Sequence, residues 1–192
     1  IFRSLTMLLS AGVECGVDTI VPIIIDRDKG NGDYTRTYNL IEKYIQVNSV
    51  APKKKKNKNI TNRFFNTEIK LLSGDQLMLK LNDQSRKFKD FIGYSTQTEA
   101  NKALSKMLFS ENTLEMDIEY GFRGNPNIGS VVLNQLNDQD VFKSFASEFQ
   151  EGDKIFIISS IFGGTGASGF PLLQKMLQTP NLKDAHGRVL PN

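Results

Sequence analysis

Apolar positions along the chain fall into two contrasting patterns. At the start, Phe2, Leu5, Leu8 and Leu9 share one face at helical spacing, predicting an amphipathic helix over about residues 2–13 that Gly16 to Asp18 bring to an end. The next run, Thr19–Ile25, is short, continuous and rich in β-branched residues, the pattern of a strand buried on both faces. Pro22 is a fault in it, because proline donates nothing to a ladder. A polar, glycine-bearing loop from Asp26 to Asp33 follows, and then Tyr38, Ile41, Tyr44 and Ile45 mark a second helix over about residues 34–47.

From Asn48 to Asn62 the periodicity dissolves into Ala51-Pro52 and a run of lysines. A strand is predicted over 64–72 and a helix over 99–109, within a stretch of mixed character that reads as an insertion at about 49–117. Regular alternation then returns. Gly121–Gly129 reads as a loop, 130–136 as a helical turn or two, 141–149 as a helix and Gly152-Asp153 as a turn. Lys154–Ile161 has the pattern of a second strand buried on both faces. A glycine-rich loop and a helix over about 170–177, opened by Pro171, complete the order. The fold class is α/β, with no internal repeat.

Composition narrows the function classes. The 192 residues are 39% hydrophobic and 23% charged, which fits one globular domain, or a domain carrying a large insertion. Lys and Arg number 24 against 21 Asp and Glu, but five of those cations (Lys53, Lys54, Lys55, Lys56 and Lys58) sit in one stretch, leaving 19 against 21 elsewhere. A nucleic-acid-binding protein is therefore not expected, and the lysine tract reads as a solvated loop without the interleaved aromatics that stack on bases. Cys15 is the single cysteine, which excludes an internal disulfide and a cysteine-rich zinc site. His186 is the single histidine, which argues against a histidine triad or a multi-histidine metal centre. No run approaches the roughly 20 apolar residues of a membrane span. Residues 1–16 echo a signal peptide only weakly, since Thr6 and Ser10 interrupt the apolar run. A cytoplasmic protein is the default expectation, and a chain that begins with Ile1 reads as part of something longer.

The chemistry concentrates where Lys154–Ile161 runs into four glycines within seven residues, Gly163 to Gly169, followed by a helix. A helix start leaves about four backbone N–H groups without partners and carries partial positive charge. Glycines let that backbone approach an anion, and Thr165 and Ser168 add hydroxyls. A phosphate cradle is the sharp reading; a tight turn used only for packing is the plain one. The Walker A pattern fails, because no lysine lies between Lys154 and Lys175. Gly164, Gly166 and Gly169 match G-x-G-x-x-G literally, but Asp184, at the spacing of the ribose-binding acid, has no strand pattern before it.

Phe162-Gly163-Gly164-Thr165-Gly166, with Pro171 after it, resembles the signature loop of the tubulin/FtsZ superfamily of GTPases. Two more segments resemble that family in the right order. Ile23-Ile24-Ile25-Asp26-Arg27-Asp28 is similar to its early strand ending in Asn-Thr-Asp, and Gly121 to Gly129, with Asn125-Pro126 inside, to its γ-phosphate loop. Phe162 stands where the family has a glycine, Arg123 where it has a small residue, and the separation between the early loop and Gly121 exceeds the family's. The resemblance covers about half of a GTPase domain. The family's first phosphate loop would precede Ile1, and its guanine-contacting asparagine, central helix and catalytic acidic loop would follow Asn192.

The resemblance implies a Rossmann-like, mostly parallel sheet with helices on both faces, binding GTP or GDP with Mg²⁺. Main-chain amides of Gly163, Gly164, Thr165 and Gly166 would wrap the α- and β-phosphates, with Ala167, Ser168 and Gly169 completing the loop. Arg123, Gly124, Asn125 and Pro126 would close on the γ-phosphate, Arg123 either contacting it or lying on the surface. Asp26 and Asp28 would hold Mg²⁺ through water, or else serve as turn and cap residues. Arg27 reads equally as solvated or as a phosphate contact. The expected partners are a guanine nucleotide and further copies of the chain in an oligomer or filament, where a neighbour's acidic loop completes hydrolysis. The alternatives are a non-catalytic tubulin-like scaffold and, more remotely, an NAD(P)-binding Rossmann oxidoreductase.

Overall fold

Pro22 divides what the pattern predicts as one strand. In the computed structural model, which describes residues 1–28, 32–51, 64–72, 77–79, 85–138, 140–150 and 152–178, Thr19–Ile20 forms β1 and Ile24–Ile25 forms β2. Between them stand Val21, Pro22 and Ile23, outside any ladder. β1 pairs in parallel with β3 (Glu68–Ile69), Thr19 opposite Glu68 and Ile20 opposite Ile69. β2 joins β4 (Met78–Leu79) in a second two-stranded sheet, opened by the Ile24 N–H donating to the Leu77 carbonyl at 2.8 Å. The fold is thus mixed α/β, predominantly helical, with a small parallel sheet.

The chain forms two compact units. Ile1–Ile24 and Gly30–Leu77 make the first; Ile25–Lys29 and the chain from Met78 onward make the second. In the first, helix α1 (Phe2–Ser10) turns Leu9 inward with Phe2 and Leu5, but Leu8 is exposed and Thr6 takes the inward place. Thr6 is tolerated there because its hydroxyl donates to the carbonyls of Phe2 and Arg3. The helix stops short of the predicted residue 13 because Gly12 adopts a left-handed φ of 80°.

Helix α2 (Gly32–Val50) faces the first unit's core with Ile41, Tyr44 and Asn48, at spacings of three and four. Its two polar members fasten the approach to β3. The Tyr44 hydroxyl donates to Thr67 O at 2.7 Å, and Asn48 Nδ2 donates to Phe65 O at 2.7 Å and Thr67 O at 3.2 Å. Burial pushes the Tyr44 phenol above its ordinary range. Tyr44→Phe is expected to cost about 1 kcal/mol, because Asn48 still serves Thr67 O; Asn48→Ala is expected to cost about 2 kcal/mol, because Phe65 O loses its donor. Urea unfolding checks the order, and a Tyr44→Phe cost above that of Asn48→Ala would refute it.

The second unit holds the short helices α3 (Phe88–Phe91) and α5 (Glu111–Leu114), with α4 (Glu99–Leu108) between them. α6 (Pro126–Leu133), α7 (Asp140–Glu148) and α8 (Gly164–Leu177) follow. Phe88, Ile118, Ile128, Val132 and Leu133 are fully enclosed in its core, with Phe122 and Met176 beside them and Ile25 packed on the cluster. The stretch 49–117 supplies residues to both cores: Ile69 and Leu77 to the first, Phe88 and Leu114 to the second. The lysine tract Lys53–Lys58, and the Asp184 and His186 region, lie outside the described residues.

Lys154–Ile161 departs from expectation. It carries no strand ladder among the described residues, Phe156 is 87% exposed, and only Ile157 within it is partly covered. An apolar β-branched run forms a strand only where another edge meets its N–H and C=O groups. The pattern records a capacity for burial that the described neighbours do not fill. No described helix is long and apolar enough to cross a membrane.

Candidate functional site

Asp26, Arg27 and Asp28, together with the residues singled out in 121–129 and 162–169, belong to the second unit. Just past β2, Asp26 Oδ1 accepts the N–H groups of Arg27 at 2.7 Å and Asp28 at 3.3 Å. This is an Asx-type turn, so one oxygen of Asp26 fastens its own loop. Arg27 is neither solvated nor aimed outward. It is 7% exposed and donates from Nη2 to Ser85 O at 2.6 Å, pinning the loop to the segment before α3. Nothing in the pattern signals this, since a charge between two acids reads as surface.

No group of three metal-ligating side chains occurs among the described residues. Two carboxylates two residues apart fit Mg²⁺ only through its own waters, which that ion usually retains.

The Gly121–Gly129 segment is a tight turn feeding a helix. Gly121, Arg123 and Gly124 all adopt positive φ, of 99°, 45° and 77°, while Phe122 between them plunges into the core. Arginine rarely takes this left-handed geometry, and such residues cluster at functional sites. The Asn125 N–H closes the turn on Phe122 O at 2.8 Å, and its side-chain oxygen caps α6 by accepting from Asn127 N and Ile128 N. Pro126 occupies the first helical turn, where its lack of an N–H costs nothing. Asn125 and Pro126 therefore build the helix start. Nearby, the Glu119 N–H and then Arg86 hold the Asp117 carboxyl below its usual range, with a further contribution from the Arg123 charge.

The Gly163–Gly169 loop folds differently from its prediction. α8 begins at Gly164, so Gly164 to Gly169 form its first turns and Pro171 lies inside the helix. Ala167 N–H is spent on Gly163 O at 3.1 Å. Ser168 is buried, and its hydroxyl bonds back to Gly164 O at 2.5 Å and Thr165 O at 3.2 Å, so it fastens the helix instead of facing a ligand. Gly163 is the N-cap, with φ −110° and ψ 156° and no side-chain cap, which leaves the amides of Gly164, Thr165 and Gly166 at an uncapped helix start.

Sequence reasoning missed why most of these glycines are glycines. A Cβ on Gly164 would lie 2.7 Å from Phe122 Cβ, 3.1 Å from Asn125 N and 3.3 Å from Gly124 N. A Cβ on Gly166 would meet Ser160 O at 2.5 Å, one on Gly129 would strike the Ser168 hydroxyl, and one on Gly169 would touch Leu133. Gly163 alone of this loop has open space on the Cβ side. The close approaches run in order, 122–125 against 164, 129 against 164 and 168, 133 against 169, so α6 and α8 lie side by side pointing the same way. Their positive ends therefore coincide, with Arg123 at the same end. That arrangement repels itself and favours an anion.

The structure thus brings 121–126 and 163–166 together. It places Asp26 one residue beyond Ile25, which packs on the same core. Comparison with protein-family models, curated proteins and solved structures finds no match for this chain.

Proposed function

We propose that this chain carries the phosphate-binding part of a tubulin/FtsZ-like nucleotide domain of Rossmann type and binds GTP or GDP with Mg²⁺. The observation that carries the reading is the uncapped start of α8 lying directly against the main-chain nitrogens of Gly124 and Asn125. Amides of Gly163 to Gly166 cradle the α- and β-phosphates, with the Thr165 hydroxyl beside them, and Gly124 and Arg123 approach the γ-phosphate. Asp26 and Asp28 orient waters of the Mg²⁺, which offsets the charge of the phosphates. Hydrolysis is completed by a neighbouring copy in an oligomer or filament.

Calorimetry on the protein should show GTP binding at about micromolar Kd or tighter, weakened when Mg²⁺ is chelated, with NAD(P) inert. Turnover per subunit should rise with protein concentration. Absence of GTP binding at millimolar nucleotide removes the reading. The packing roles of Gly129, Gly164, Gly166 and Gly169 favour one rival, a non-catalytic scaffold in which glycines serve helix contact alone. That rival gives no turnover at any concentration.

A further inference from the structure

Helix α4 is built inside out. Ala100, Ala103, Leu104, Met107 and Leu108 recur along one stripe of a 3.6-residue helix, which in a surface helix ordinarily faces the core. Here the stripe faces solvent. Met107 is 83% exposed, Leu108 66% and Leu104 53%, both alanines are exposed, and the helix contains no buried residue. The inward side is polar: Lys102 and Ser105 are half-buried, and Ser105 Oγ donates to Gln97 Oε1 at 3.0 Å. The helix is held firmly in this orientation. Thr98 caps its start, accepting from Asn101 N, and Phe109 just beyond its end packs edge-on against the enclosed Phe88, ring centroids 4.9 Å apart.

The charges beside the stripe indicate what covers it. Glu99 and Lys106 are seven residues apart, so they stand on the same flank at opposite ends of the helix. Glu99 is paired within its helix with Lys102 at 2.9 Å, and two copies laid antiparallel about a two-fold axis bring each Glu99 also towards the other copy's Lys106, once at each end, whereas in a parallel pair these flanks lie on opposite sides of the seam and the charges do not meet. The stripe is short. A ten-residue helix is about 15 Å long, and its apolar face amounts to a few hundred Å² per copy, below the roughly 800 Å² per partner of a standard interface. A weak pair is what this surface can support.

We infer that the outward apolar face of α4 is a self-association surface, through which two copies of this chain pair antiparallel, α4 against α4. The inference is independent of the nucleotide site, and its test is run without nucleotide so that filament formation contributes nothing.

Sedimentation equilibrium between about 1 and 100 µM is expected to show a monomer passing to a dimer with a Kd in the micromolar range. Met107→Glu is expected to stay monomeric while its circular dichroism and urea midpoint match the parent's, since Met107 supports no core. Glu99→Lys and Lys106→Glu are each expected to weaken the dimer about tenfold, and the two together to restore it in part, because the swap rebuilds both cross-pairs but ends the Glu99–Lys102 pair within each helix. A parent that stays monomeric at about 100 µM overturns the inference. So does a dimer indifferent to Met107→Glu, or a double swap that fails to rescue. Monomeric protein that instead binds phosphatidylserine vesicles through Met107 overturns it too, by assigning the face to a lipid surface.

Discussion

Gly164→Val is expected to destabilise the second unit strongly, and not merely to empty a phosphate site. The new Cβ would stand 2.7 Å from Phe122 Cβ and 3.1 Å from the Asn125 nitrogen. Neither can yield cheaply. Phe122 is enclosed in the core, and the Asn125 N–H is committed to closing the turn on Phe122 O at 2.8 Å. Valine adds two methyls to that collision. Overpacking of this kind costs about 1–3 kcal/mol where neighbours can shift, and here the neighbours are a core ring and main chain, so about 3 kcal/mol is expected. Urea unfolding followed on the second unit measures it. A change below about 1 kcal/mol would mean that α8 and the Phe122 turn are not in contact.

Gly163→Val is expected to behave in the opposite way. Open space surrounds the Cβ position, and φ −110° with ψ 156° suits a β-branched residue. The fold should lose no more than about 1 kcal/mol, the cost of valine at an N-cap. Two methyls would nonetheless stand at the mouth of the uncapped helix start, where the proposed phosphate sits. GTP affinity should fall about 100-fold or more, equivalent to about 2.8 kcal/mol. Unchanged affinity with unchanged stability would remove the cradle from this turn. The adjacent pair of variants therefore separates packing from binding.

Much of the helical order was legible because 3.6-residue periodicity needs no knowledge of the partner. α2 and α7 fall within a few residues of their predicted bounds, and α4 within one. The split at Pro22 was signalled by proline chemistry. Two things were not legible. The Lys154–Ile161 pattern carries information about burial, and burial depends on what lies alongside. The run of glycines from 163 to 169 announces close approach of backbone, yet a sequence does not say whether the approaching group is an anion or a neighbouring helix. Gly164 meets a helix start, and Gly163 meets nothing. Asn125-Pro126 is the converse case: read first through its place in a phosphate loop, it is by its hydrogen bonds the cap and first turn of α6. Arg27 was opaque because a guanidinium between two aspartates looks solvated until a carbonyl such as Ser85 O is seen beneath it.

Ile24 and Ile25 are consecutive in the chain but pack in different cores. The ribosome therefore delivers Ile25 long before most of its packing partners exist. Phe88 emerges some sixty residues later, and Ile128 and Met176 later still. The first unit, by contrast, has all its residues once Leu77 is made. Synthesis at roughly 5–20 residues per second takes seconds to supply those partners, far longer than closing the loop itself, so capture of Ile25 is a late event set by the order of synthesis.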